Sequence, residues 1–319
     1  MYRIILDTDP GIDDALALFL ALASPEIQLE AITTVSGNVH VDITTRNALA
    51  LLELAGRTGI PVARGSDRPL VRETVIADYV HGRNGLGEVL LPEPQRQPTG
   101  KHAVDVIIEQ IMAAPGAITL IPIGPLTNIA LAVRREPRIA QHVREVVIMG
   151  GALRVPGNVT PCAEFNFYAD PHAAHIVLHA GWPIRLVSLD ATNHTDMQRE
   201  QFAVLAASGH PVTQAIKRMV DFHLDEFGKP RGITAFHMHD PLCLAAAMHP
   251  ELLTWKPAYV DVELAGTLTL GESVAYFEQT EDIDPSLEHL HPSNVLASVG
   301  VDVERFIQLY MERIQTTFL

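Results

Sequence analysis

Four aspartates, Asp7, Asp9, Asp13 and Asp14, crowd the run Leu6-Asp7-Thr8-Asp9-Pro10-Gly11-Ile12-Asp13-Asp14 near the start of the chain. Carboxylates this close repel one another, and a divalent cation with oxygen ligands is the natural way to keep them all ionised. Neither Cys nor His interrupts the run, so it suits calcium or magnesium better than zinc. Helix capping by Asp13 or Asp14 accounts for one or two of the acids, because carboxylates favour a first helical turn, but not for four. A second cluster, His237, Met238, His239, Asp240 and Pro241, precedes a helical run over 242–248. Asp240 reads either as an N-cap or as a distant carboxylate completing an oxygen cage, with His239 beside it as a general acid. A His-Asp metal pair of the phosphohydrolase kind would need further His ligands at helical spacing, and none lies nearby.

These groups must be carried by elements, and the pattern supplies them. Apolar 4–6 reads as a buried strand, Pro10-Gly11 breaks it, and 15–23 continues as a helix, which puts the acids at a strand's carboxyl end. Strands follow at 29–35, 61–63, 117–123, 145–149 and 184–188, separated by helices at 44–55, 103–113, 127–134 and 171–179. Such alternation implies a mainly parallel, open twisted sheet with right-handed crossovers, in which ligands bind outside the carboxyl ends of the strands. Beyond 188 the pattern turns helical (199–207, 212–227), then gives strands near 258–263 and 273–277 and a last helix over 303–314. The expectation is one α/β domain over 1–319, flanked by helices, with additional C-terminal helices.

Two long connections, 65–100 and 150–170, interrupt the rhythm, and long connections in a compact fold are usually functional or disordered. The first holds His81-Gly82-Arg83-Asn84-Gly85-Leu86-Gly87, read as a mobile lid, the alternative being a solvated loop. Each strand-end loop also offers a polar group: Asn38, then Gly124-Pro125-Leu126-Thr127-Asn128, then Asn158, Glu164 and Asn166. Singly each is a turn residue or a helix start; together they would line one face with hydrogen-bonding groups for a polyhydroxylated substrate.

Composition narrows the class. A chain of 319 residues that is 47% hydrophobic can bury a large core, and a formal charge of -15 without a basic stripe disfavours nucleic acid. Two cysteines, Cys162 and Cys243, are too few for a disulfide framework, the start shows no charged-then-apolar leader, and the apolar stretch 15–23 is too short to span a bilayer. The expected setting is the cytoplasm, with no membrane partner.

In order along about residues 3–310, Asp7-Thr8-Asp9-Pro10-Gly11-Ile12-Asp13-Asp14, Ser36-Gly37-Asn38-Val39, Gly124-Pro125-Leu126-Thr127-Asn128, Met149-Gly150-Gly151, Glu164-Phe165-Asn166 and His239-Asp240 resemble the inosine-uridine-preferring nucleoside hydrolase family. The resemblance implies an N-ribosyl hydrolase that splits a ribonucleoside into free base and ribose, with calcium at the base of the pocket. It implies carboxylate ligands from Asp9, Asp14 and Asp240, a further ligand in the Ile123 carbonyl, and Asp9 as general base toward a calcium-held water. Asp13, Asn38, Asn158, Glu164, Phe165, Asn166 and Asp240 would contact substrate; His239 and His81 would serve the leaving base. A homo-oligomer, dimer or tetramer, is the family expectation. Phe165, Phe167, Phe222, Phe227 and Phe236 could stack a base, but Lys229-Pro230-Arg231-Gly232 replaces the Gln and Tyr of pyrimidine-preferring relatives, which leaves purines and pyrimidines both open. Two rival readings are a calcium-dependent nucleoside or sugar binding protein without turnover, and a haloacid-dehalogenase-like phosphatase, whose second acid is not followed by Pro-Gly.

Overall fold

The computed structural model describes residues 1–277 and 292–319. Ile4, Ile5 and Leu6 are completely buried because the first strand, β1 (Tyr2–Thr8), lies in the middle of a sheet covered on both faces. Each such side chain contributes about 1.5–3 kcal/mol by leaving water. The chain runs on through α1 (Ile12–Ala23), β2 (Ile27–Thr34), α2 (Val41–Leu54), β3 (Val62–Arg64), α3 (Asp78–His81), α4 (Ala103–Ala113), β4 (Ile118–Pro122), α5 (Thr127–Arg135), α6 (Ile139–His142) and β5 (Glu145–Met149). There follow α7 (Phe165–Ala169), α8 (Pro171–Leu178), β6 (Ile184–Val187), α9 (Leu189–Thr192), β7 (Asp196–Gln198), α10 (Arg199–Ala206) and α11 (Pro211–Phe222). The last elements are β8 (Ala235–His237), α12 (His239–Met248), β9 (Leu253–Val262), β10 (Ser273–Phe277), β11 (Val295–Val301) and a C-terminal helix, Val303–Thr317.

Among the described residues the main sheet runs β10-β9-β11-β6-β5-β4-β1-β2-β3. All neighbours pair in parallel except β9, which is antiparallel to both β10 and β11, so the sheet is mainly parallel as expected. Strand order reverses between β1 and β4, which opens a crevice at their carboxyl ends, the usual ligand site of such sheets. One apolar core packs α1, α2, α11, α12 and the C-terminal helix on one face; a second packs α4, α5 and α8 on the other.

Several elements depart from the expected pattern. The helix predicted over 212–227 stops as an α-helix at Phe222, widens into a π-turn over His223–Gly228 and tightens into a 3₁₀ turn over Lys229–Arg231. Pro230 has no N–H to donate, and Gly232 closes the segment at φ 71°. Short β7 and β8 pair antiparallel apart from the main sheet, and β11 inserts between β6 and β9; none of the three is marked by long apolar alternation.

Candidate active site

The Asp-rich segment leaves β1 and enters α1 through Pro10-Gly11, and the structure sorts its four acids into separate roles. Asp7 Oδ1 accepts from Thr33 Oγ1 at 2.5 Å and Asn128 Nδ2 at 2.9 Å, tying β1 to β2 and α5. Burial, offset by those two hydrogen bonds, pushes its pKa up to about 7. Asp14, in the first turn of α1, accepts from Gly11 N at 3.0 Å, so it caps its helix. The same carboxylate also accepts from Thr8 Oγ1 (2.5 Å), Asp9 N (3.1 Å) and Asn38 Nδ2 (2.8 Å). Capping and site membership therefore coexist in Asp14.

Asp9 is held by one oxygen: its Oδ2 accepts from Asn38 N at 2.6 Å, while Oδ1 is buried without a hydrogen-bond partner. Gly37 and Gly124 close on this carboxylate from two sides, and a Cβ at either would overlap Oδ2 or Oδ1 respectively. Asp13 and Asp240 line the cavity above, and Asp13, Asp14 and Asp240 each present an oxygen within 4.8 Å of the others. Burial first, then the neighbouring carboxylate Asp14, pushes Asp13 up to about 8, and burial and the same acids drive Asp240 well above the usual range. An all-oxygen donor set, an orphaned carboxylate oxygen and uncompensated negative charge together fit a hard divalent cation.

The cavity encloses about 640 Å³, room for a drug-sized ligand. Its floor comes from strand ends. Glu164 caps α7, its Oε1 accepting from Asn166 N at 2.8 Å and its Oε2 from Gly151 N at 2.9 Å and Phe167 N at 3.1 Å. Asn166 Nδ2 donates to the carbonyls of Ile123 (2.9 Å) and Met149 (3.2 Å), joining the ends of β4 and β5. Asn158 Oδ1 accepts from Phe165 N at 2.9 Å, and both residues reach the lining. Thr127 and Asn128 do not: Thr127 Oγ1 donates to Asp170 Oδ2 (2.7 Å), and Asn128 bridges Asp7, Thr34 and Ser66. That half of the Gly-Pro-Leu-Thr-Asn motif holds elements together instead of facing a ligand.

The roof is aromatic and imidazole-rich. His81 ends α3, only 9% exposed, and its Nδ1 accepts from Ile12 N at 3.1 Å, which assigns the ring proton to Nε2. The segment expected as a mobile lid packs as a turn, with Gly85, at φ 79°, against Asn47, Val39 and the Pro10 carbonyl. His239 Nδ1 lies 2.7 Å from Thr192 Oγ1. Burial, reinforced by nearby imidazoles, lowers both His81 and His239 to about 3. The π-turn after α11 brings in His223 and Phe227, ring centroids 5.1 Å apart, with the Arg231 guanidinium 4.0 Å over Phe227 and Tyr79 across from it at 6.4 Å. Of the five suggested stacking phenylalanines, Phe165, Phe227 and Phe236 line the cavity; Phe167 is fully buried in the second core, and Phe222 packs against Gly82 and Gly87. His223 and Arg231 are cavity residues that the sequence reading does not include, although 223, 227 and 231 share an i, i+4 spacing that places them on one helical face.

His223 carries a pH prediction. Burial, then the charge of His237, lowers it from the ordinary 6.5 to about 4. Between these values the unfolded chain takes up a proton that the folded one refuses, so stability falls as pH drops through that window and is unaffected above it. His223→Gln should make the loss of unfolding free energy between pH 7.5 and 5 smaller by on the order of 2 kcal/mol, read by urea denaturation at both pH values. Equal losses in the two proteins would contradict it.

A family model described as inosine-uridine preferring nucleoside hydrolase matches residues 4–308. The chain is 40% identical to the inosine-uridine preferring nucleoside hydrolase of Crithidia fasciculata, over 98% of this chain and 97% of that protein. It is 38% identical to a probable uridine nucleosidase 2 of Arabidopsis thaliana, again over 98% and 97%. Among solved structures it is similar to a plant nucleoside hydrolase (TM-score 0.92, 38% identity, covering 98% and 99% of the chains). It is also similar to a purine-preferring ribonucleoside hydrolase from Gardnerella vaginalis (TM-score 0.92, 32% identity, covering 99% and 98%).

Proposed function

Because the chain belongs to the inosine-uridine preferring nucleoside hydrolase family, and so is a ribonucleoside hydrolase, we propose that it cleaves the N-glycosidic bond with Asp9 as general base in a calcium-dependent site. The observation that carries this reading is Asp9 itself. One oxygen is fixed by the Asn38 N–H and the other has no protein partner, beside three carboxylates that converge within 4.8 Å.

Asp9, Asp14, Asp240 and the Ile123 carbonyl would hold the ion. Bound there, calcium would neutralise the packed acids and make water a better nucleophile at neutral pH. The Asp9 Oδ1 lone pair would accept the proton of the water attacking the anomeric carbon. As the carbon-nitrogen bond breaks, positive charge builds on the ribosyl ring, and the carboxylates of the floor stabilise it. Asp13, Asn38, Asn158, Glu164, Asn166 and Asp240 would orient the ribose hydroxyls, with Phe165 against the sugar. The leaving base would sit under the roof, where His81 Nε2–H and His239 donate to it and Phe227 stacks on it.

Cys162 and Cys243 are free, as a reducing compartment leaves them, in keeping with a cytoplasmic enzyme; assembly as a dimer or tetramer completes the reading. No helix among the described residues is long and apolar enough to cross a membrane. The family match removes the phosphatase alternative.

The test is ribose release by reducing-sugar assay from inosine, adenosine, guanosine, uridine and cytidine, before and after chelation. Release that stops on chelation and returns with calcium supports the mechanism. Undiminished release after chelation would overturn the metal role, and tight nucleoside binding with no release would favour a binding protein.

A further inference from the structure

Two histidines one helical turn apart, His175 and His179, close the C-terminal end of α8 and face the same carboxylate, Asp261 of β9. His175 Nδ1 lies 2.6 Å from Asp261 Oδ1, and His179 Nε2 lies 3.6 Å from Asp261 Oδ2. The two rings are 4.6 Å apart, and one donor atom from each of the three residues falls within 4.8 Å of the other two. None of them lines the substrate cavity.

We propose that His175, His179 and Asp261 form a second metal site, for a borderline divalent transition ion of which zinc is the type. Two imidazole nitrogens and one carboxylate oxygen are zinc's preferred donors, whereas calcium and magnesium want oxygen alone, so the two acid-bearing sites of the molecule differ in ion class. Tetrahedral bonds of about 2.0–2.1 Å set donor atoms about 3.3 Å apart. Reaching that from the present spacings, none above 4.8 Å, takes side-chain adjustments of at most about 1.5 Å. The three side chains are 31–39% exposed, which leaves an ion a route in and water for the remaining position.

The donors are also preorganised, which separates them from an incidental surface cluster. α8 is anchored at its N-terminus by Asp170, whose Oδ1 accepts from Ala173 N (3.0 Å) and whose Oδ2 accepts from Thr127 Oγ1 (2.7 Å). Near its other end Trp182 Nε1 donates to the Val177 carbonyl at 2.9 Å. β9 is paired on both sides, and Asp261 Oδ1 is oriented by Val262 N at 2.7 Å, the kind of outer hydrogen bond that ligand carboxylates carry. The Tyr259 hydroxyl stands 3.3 Å from His179 Nε2 and 3.4 Å from Asp261 Oδ2, at the rim of the triad. An ion here would clip α8 to β9.

Isothermal titration with zinc alone, on protein kept in excess calcium so that the acid cluster is filled, tests the site. Wild type should show one saturable zinc site, weakened at least about 100-fold by His179→Ala and likewise by Asp261→Asn. Zinc at a hundredfold excess over its Kd should raise the wild-type Tm by about 4 °C and leave the variants unmoved. Ribose release by both variants should equal wild type, which also reports that they fold. No saturable zinc binding in wild type, or the same affinity in wild type and both variants, would overturn the site.

Discussion

Asp9→Asn is expected to lower turnover about 10³-fold while leaving the fold intact. The amide has the volume of the carboxylate, and its oxygen can still accept the Asn38 N–H that now meets Oδ2 at 2.6 Å. What disappears is the basic lone pair on Oδ1, a negative charge beneath the ribosyl ring and one carboxylate of the proposed calcium site, so the comparison is made at saturating calcium. Asp9 is only 1% exposed and lies under the lining, so the substrate contacts proposed for Asp13 and Asn158 should survive. The kinetic signature is therefore a collapse of kcat with KM changed by less than about threefold. Turnover within tenfold of wild type would assign the proton to another group.

Gly124→Ala is expected to cost about 100-fold in kcat, although residue 124 carries no chemical group. Its added Cβ would overlap Asp9 Oδ1, with Asp9 N at 3.2 Å, and Gly37 blocks retreat on the Oδ2 side. Gly124 does not sit in the left-handed region, so the effect is steric displacement of the base and not backbone strain. A shift of about an ångström is enough to misalign the proton acceptor. Gly59→Ala, where an added Cβ meets nothing within 4 Å, serves as the control. A folded Gly124→Ala enzyme with wild-type kcat would show that the carboxylate tolerates the push.

Much of this architecture is legible in the amino-acid sequence, for reasons that particular residues make clear. β1 and β4 to β6 are short, mostly apolar runs bounded by Gly and Pro, because a strand buried on both faces needs apolar residues along most of its length. Asn38, Ile123, Asn158, Glu164, Asn166 and Asp240 stand in strand-end loops or a helix start, and the strand order brings those loops together. Direction is what a linear pattern hides. Asp7 and Asp9 are two residues apart, yet one bonds Thr33 and Asn128 and the other faces the acid cluster. The roof was less readable still, since His223 and Arg231 reach the cavity only because α11 widens after Phe222. β11 is not marked in the sequence because Val295–Val301 includes Ser298 and Gly300, which dilute its apolar pattern.

Floor and roof descend from different parts of the chain. The acids and the polar groups of the cavity floor are rooted in strand ends of the central sheet and in the first turn of α12, where a substitution disturbs the core as well as the site. His223, Phe227 and Arg231 hang from a single non-sheet segment after α11. On the proposed reading, base preference and bond cleavage are separable by mutation: changes at these three positions should alter which base is accepted and leave the bond-breaking end in place.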